Sequence, residues 1–186
     1  MLLKTLAEYN AWANLLVFAA MECLPEGEVT KERQTPLKSM VRTLNHIYII
    51  DCIFKSHLEG RPHHFNTRNP AAHPPLHELR DLVKTIDQWY LNYVIALSAL
   101  ELAEPVRFQF IGGGEGLMSR GEMILHVVNH GTYHRGMVAD MVHQVPAIPP
   151  VTDLTVFLRD AAQNQMRTES DSQVDAYSSQ DLGRRE

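Results

Sequence analysis

The chain has 186 residues, a length that fits one domain able to bury most of its apolar surface. Its formal net charge of -5 argues against a nucleic-acid partner, because phosphate binding needs concentrated Lys and Arg. No apolar run reaches the roughly 18 residues of a membrane span, and the first residues lack the order of a secretory signal. We therefore expect a cytoplasmic protein with no membrane partner, in which Cys23 and Cys52 are reduced thiols.

Helical periodicity dominates the first hundred residues. Residues 2–24 repeat apolar positions at intervals of three and four, which predicts a first helix. Thr35 and Pro36 have the residue types of a helix start, and Gly60 is a typical stop, so a second helix is expected between them. Residues 61–75 hold prolines and no apolar period, which indicates a crossover loop before a third helix over 76–100.

The second half of the chain begins with an alternating segment. Residues 105–118 place Val106, Phe108 and Phe110 on one side before a glycine-rich turn, which predicts a small β-hairpin. The turn lacks the lysine and the βαβ context of a phosphate-binding loop. Ser119 and Glu122 have the spacing of a capping box, so a fourth long helix is expected to run from there to about Val145.

The end of the chain has two predicted parts. Residues 153–162 are expected to form a short C-terminal helix, and the polar residues 163–186 a tail that is mobile in solution. The whole pattern predicts an all-α protein: a four-helix bundle over residues 1–162 with a small β-hairpin before the fourth long helix.

Histidine is the unusual residue, with ten copies. His126, His130 and His134 are spaced by four on the predicted fourth helix, and each step of four rotates the side chain by only about 40°. Two imidazoles at this spacing converge on one metal ion in known zinc sites. Such pairs also occur by chance in a histidine-rich chain, so the spacing alone is not decisive.

His46 adds support from a second element. It begins a stripe of the second helix that continues with Ile50, Ile53 and Phe54. A buried imidazole needs a partner, since an unpaired polar group costs about 1–3 kcal/mol. Two interpretations stay open: a hydrogen bond to a neighbouring helix, or a metal ion bound together with two histidines of the fourth helix. Three protein ligands would leave an open position, as in reactive metal sites.

Three segments carry a family resemblance: residues 9–14 (YNAWAN), 44–47 (LNHI) and 126–136 (HVVNHGTYHRG). They closely resemble the DinB-like, or YfiT-like, superfamily of damage-inducible proteins, which is distinct from the DNA polymerase of that name. The resemblance covers about residues 1–160. It implies a four-helix bundle, commonly a homodimer, in which one histidine of the second helix and two of the fourth bind a divalent metal. In this chain the implied ligands are His46, His130 and His134.

The resemblance also implies chemistry. Relatives include metal-dependent thiol S-transferases that use low-molecular-weight thiols such as bacillithiol or mycothiol, and thiol-dependent isomerases. We therefore expect zinc or nickel in the open three-histidine site and a small-molecule substrate. The alternative is a non-catalytic metal-binding module or sensor associated with stress. A third interpretation is that the histidines form only a hydrogen-bonded core network.

Neighbouring residues have open roles. His126 is a candidate base or fourth ligand, or simply a hydrogen-bonded histidine near the start of its helix. Tyr133 and Trp12 are candidates for lining a substrate space, or core residues. Arg135 is either a surface charge or an anchor for an acidic group, and Asp51 follows His46 by a spacing that disfavours direct contact. The loop histidines are expected to be solvated, namely His63, His64, His73 and His77.

Overall fold

The computed structural model describes residues 2–163, and in that part of the chain it confirms an all-α bundle with one small hairpin. The elements in chain order are the helices and strands α1 (Leu2–Glu22), α2 (Met40–Leu58), α3 (Leu76–Ala96), α4 (Ala99–Leu102), β1 (Pro105–Gln109), β2 (Glu115–Ser119) and α5 (Arg120–Val142). Among the described helices, none has the length and apolar character needed to cross a bilayer.

The four long helices form a closed arrangement of neighbours. Helix α1 packs against α3 and α5, and helix α2 packs against the same two helices. Two apolar clusters fill the interior: on α1 the first contains Ala7 and the second begins at Val17, while on α5 the first ends at Val127 and the second begins at Val138. Between these positions α1 and α5 carry a group of buried polar side chains, here called the polar layer, which includes Asn10, Asn14, His134 and Arg135. The candidate site residues of α5 from His130 to Arg135 lie in this part of the helix.

Helix α2 begins later than the sequence predicts. Its N-cap is Ser39, whose hydroxyl accepts a hydrogen bond from the Arg42 amide, so the expected start at Thr35 and Pro36 was wrong. Lys38 has a φ of 71°, which is a left-handed backbone conformation, so a right-handed α-helix cannot run through this residue. The segment instead wraps around the buried Arg33, whose guanidinium donates to two backbone carbonyls of the same loop.

The sequence predicts the end of α2 correctly and the end of α3 incorrectly. Gly60 has a φ of 65°, and the Arg61 amide donates to the Ser56 carbonyl, which confirms the predicted stop. The third helix ends at Ala96 rather than near residue 100, because Ser98 begins α4 with its own capping box to Glu101.

The predicted hairpin is present, with β1 and β2 antiparallel and Phe108 opposite Gly116. A Cβ on Gly116 would lie 2.3 Å from Cζ of Phe108, so the phenyl ring occupies the space that any larger side chain would need. The sequence places Phe108 and Phe110 on the same side of the hairpin, but their burial differs: Phe108 is buried, whereas Phe110 is 53% exposed.

The described residues from Val151 onward belong to a separate unit from the described residues up to Pro150. Its described part contains a helix over 154–163, where the amides of Val156 and Phe157 donate to the Asp153 carbonyl. This agrees with the short helix expected over 153–162. Apart from Gln163, the predicted tail lies outside the described residues.

Candidate metal centre

His46 of α2 meets His130 and His134 of α5 in the polar layer. One nitrogen from each ring lies within 4.8 Å of one nitrogen from each of the others. The Nε2 atoms of His46 and His130 are 3.1 Å apart. Two nitrogens bound to one tetrahedral zinc ion would be about 3.3–3.4 Å apart, since each Zn–N bond is about 2.0–2.1 Å. The three imidazoles are therefore positioned to bind one metal ion.

The crossover loop orients His46. Its Nδ1 lies 3.1 Å from the backbone carbonyl oxygen of Arg68. A carbonyl only accepts hydrogen bonds, so Nδ1 carries the proton and Nε2 presents its lone pair toward the other two rings. Metal-bound histidines usually have such an outer hydrogen bond. Sequence reasoning missed Arg68 because the contact is made by its backbone, which leaves no residue-type signature.

Burial keeps the three rings neutral. Desolvation, reinforced by the neighbouring imidazoles, lowers the pKa of His130 to about 3 and that of His134 to about 4. Desolvation also lowers the pKa of His46. At neutral pH all three rings therefore have an unprotonated nitrogen, which metal ligation requires.

Hydrogen bonding does not fully account for this cluster. The Nδ1 atoms of His130 and His134 are both buried, and neither has a hydrogen-bond partner among residues 2–163. A core held together by hydrogen bonds alone would satisfy these nitrogens. The fit to a divalent ion rests on the three converging ring nitrogens, because an ion bound at Nε2 of His130 would leave the Nδ1 of that ring unpartnered as well.

Comparison with known proteins identifies the family, because the profile of the DinB family matches residues 1–169. The chain belongs to the DinB family. It is 28% identical over 160 residues to Protein DinB of Bacillus subtilis (strain 168), an alignment that covers 82% of this chain and 91% of that protein.

The fold of this DinB-family chain also has a counterpart among solved structures. The crystal structure of a DinB-like protein from Bacillus cereus ATCC 10987 superposes with a TM-score of 0.57 at 14% sequence identity. The match covers 75% of this chain and 90% of that one. At this level of identity the likeness concerns the fold alone.

The two further candidates flank the triad of the DinB-family chain. The ring of His126 lies 5.7 Å from that of His130 and 4.5 Å from that of Phe54, and His126 is not part of the three-nitrogen group. Desolvation lowers its pKa. Tyr133 is 63% exposed, and its ring meets the ring of His134 edge-on at 5.0 Å. It is therefore a surface residue beside the triad, not a core residue.

A row of rings continues from His126 toward the hairpin. Phe54 contacts His57, and the ring of His57 lies 5.0 Å from that of Phe108 and 5.4 Å from that of His63. His63 is half-buried and its Nδ1 is buried, so the expectation that this loop histidine is solvated was wrong. The loop is held against the bundle by these ring contacts, which sequence periodicity does not encode.

Trp12 lies elsewhere. It lines a groove of about 610 Å³ between α1 and α3, together with Leu15 and Asp87, and no triad residue is among the lining residues. Asp51 is fully buried, and neither carboxyl oxygen has a hydrogen-bond partner within the described part of the chain. It does not hold the ring of His46. Desolvation and the nearby Asp87 raise its pKa.

Proposed function

We propose that this DinB-family protein is a metal-dependent enzyme of the thiol S-transferase type, with zinc or nickel bound by His46, His130 and His134. The observation that carries the proposal is the convergence of three neutral imidazoles, with nitrogens within 4.8 Å of one another. Three protein ligands leave one coordination position open, whereas structural zinc sites use four. When bound, a zinc ion there supplies a positive charge that deprotonates a coordinating thiol at neutral pH.

In the proposed reaction the sulfur of a low-molecular-weight thiolate attacks an electrophilic carbon of a small-molecule substrate. A carbon–sulfur bond forms, and the leaving group departs with the electron pair of the bond that breaks. The thiol proton passes to a base. His126 is the proposed acceptor, because its ring lies 5.7 Å from that of His130, beside the three candidate ligands. The exposed ring of Tyr133 is proposed as a wall for the substrate.

The experiment uses protein purified without a histidine tag and tests transfer of several low-molecular-weight thiols to a chromogenic aryl halide. We expect activity in the zinc- or nickel-loaded protein, and background rates in the metal-stripped protein and in His130→Ala. His143→Ala is the control, because His143 is an exposed residue at the end of α5. His126→Phe preserves ring packing against Phe54 and is expected to retain metal with a lower rate.

Two results would count against this function. Equal rates in loaded and stripped protein would show that the metal does not participate. Full metal occupancy without activity toward any thiol would favour a non-catalytic metal-binding module or sensor.

We also propose that the protein is a homodimer, as the family resemblance implies, and that nucleic acid is not its partner. The net charge of -5 supports the second point. Light scattering should give about twice the chain mass of 21.1 kDa, and DNA should migrate unchanged in a low-salt gel shift. A monomer mass or a retarded band would contradict the respective expectation.

A further inference from the structure

Arg135 follows the candidate ligand His134 directly in sequence, yet it is only 2% exposed. Its Nη1 donates to Oδ1 of Asn10 and to Oδ1 of Asn14, both at 2.8 Å. Its Nη2 donates to Oγ1 of Thr132 at 3.0 Å. The guanidinium thus connects α5 to two consecutive turns of α1, a bundle neighbour other than the helix that carries His46.

The two asparagines extend the connection to α3. Nδ2 of Asn10 donates to Oδ1 of Asp87 at 3.2 Å, and Nδ2 of Asn14 donates to both carboxyl oxygens at 3.1 and 2.9 Å. A side-chain amide accepts with its oxygen and donates with its nitrogen, so it can bridge a guanidinium and a carboxylate. An aspartate at either position could not donate to Asp87. The buried network therefore fixes the relative placement of α1, α3 and α5.

Gly131 is adapted to this network. A Cβ at this position would lie 2.9 Å from Nη1 of Arg135 and 2.9 Å from Oδ1 of Asn10. Glycine inside a helix costs about 1 kcal/mol relative to alanine. At position 131, the absence of a side chain leaves room on the surface of α5 for the hydrogen bond between Arg135 and Asn10. Gly136, on the same helix, has no atom within 4 Å of the corresponding point.

We infer that Arg135 is a positioning residue, which sets the rotation of α5 about its own axis and thereby aims His130 and His134 at His46. The inference rests on the proposed metal site. A ring nitrogen on a helix lies about 6 Å from the axis, so a rotation of roughly 10° moves it by about 1 Å. Metal–ligand distances tolerate only about 0.2 Å. Apolar contacts are not directional and constrain the rotation of α5 only weakly. The hydrogen bonds of Arg135 are directional and therefore fix that rotation.

The test compares Gly131→Ala with Gly136→Ala. Both add one methyl group to α5 and remove no polar group, but only the first intrudes on the Arg135–Asn10 bond. Zinc affinity is measured against a chromophoric chelator, and ligand geometry is followed by the visible absorption of bound Co²⁺. We expect Gly131→Ala to weaken zinc binding by about 10-fold or more, as outer-shell changes do, and to alter the Co²⁺ spectrum. Gly136→Ala should match the wild type in both.

A third variant separates positioning from general stability. Val17→Ala removes a buried apolar group of α1 outside the network, and should lower the unfolding temperature while leaving zinc affinity and the Co²⁺ spectrum unchanged. Wild-type affinity and spectrum in Gly131→Ala would overturn the positioning role alone. If Gly131→Ala does not fold, Arg135→Lys replaces it, because lysine keeps the positive charge but lacks the forked donors of the guanidinium. Unchanged zinc affinity in Arg135→Lys would also overturn the positioning role. A wild-type protein that binds no zinc would instead overturn the proposed function.

Discussion

Asp87 combines burial, charge and amide hydrogen bonds in one side chain. It is 6% exposed and accepts three hydrogen bonds from Asn10 and Asn14. Burial raises the pKa of its carboxyl group to about 6, while the asparagine bonds and the charge of Arg135 oppose the rise. The folded protein therefore holds a proton on Asp87 more tightly than the unfolded chain does.

This asymmetry predicts a pH dependence of stability. The ordinary pKa of the group is 3.8, so the stabilisation from the bound proton is complete below about pH 4 and is lost as the pH rises through about 6. We expect the unfolding free energy of the wild type, relative to that of Asp87→Asn, to fall by on the order of 2–3 kcal/mol between pH 4 and 7. Urea titrations of both proteins at several pH values measure this difference, and a difference independent of pH would contradict the account.

Single residues differ in how far the sequence reveals them. The spacing of the histidines on the fourth helix, and the apolar stripe after His46, indicated that imidazoles of two helices could meet. The family resemblance then named His46, His130 and His134, the three rings that the structure brings together. The role of Arg135 was left open between surface and anchor. Its partners Asn10 and Asn14 lie 125 and 121 positions away, and no local pattern indicates which distant amides a guanidinium will meet.

At the scale of elements, two capping boxes can be compared. Ser119 Oγ accepts from the Glu122 amide, and Glu122 accepts from the Ser119 amide at the start of the 23-residue helix α5. Ser98 and Glu101 make the same pair of bonds at the start of α4, which has four residues and none buried. The local geometry is shared, but only α5 is part of the core.

Ser119→Ala should therefore destabilise the protein by about 1 kcal/mol, the usual cost of removing an N-cap hydroxyl. Ser98→Ala should cost less than half as much, because fraying of α4 exposes no buried residue. Thermal unfolding of the two variants beside the wild type gives both values. Equal losses would mean that the cap of α5 is not coupled to the core.

The same elements show where local signals are sufficient. The start of α5 was predicted correctly because its capping box is the only strong N-terminal signal between the hairpin and the histidines. The start of α2 was not, because Thr35 with Pro36 and Ser39 offer competing signals of similar local quality. The choice is made by Arg33, which holds the preceding turns in a non-helical path.

At the scale of the whole molecule, the number of long helices and the hairpin followed from periodicity and turn residues. The order of the helices around the bundle did not, since amphipathic stripes indicate which face is buried but not against which neighbour. That order matters for function: α2 and α5 are adjacent, and the polar layer lies between the two apolar clusters. His130 and His134 are therefore flanked by apolar packing on both sides along α5.

The central claim is that His46, His130 and His134 bind one divalent ion. Calorimetric titration of zinc into tag-free, metal-stripped protein tests it most directly, with His73→Ala as a control histidine variant from the crossover loop. We predict one ion per chain for the wild type and the control, and loss of this binding in His46→Ala, His130→Ala and His134→Ala alike. No uptake by the wild type, or undiminished uptake by His46→Ala, would contradict the claim.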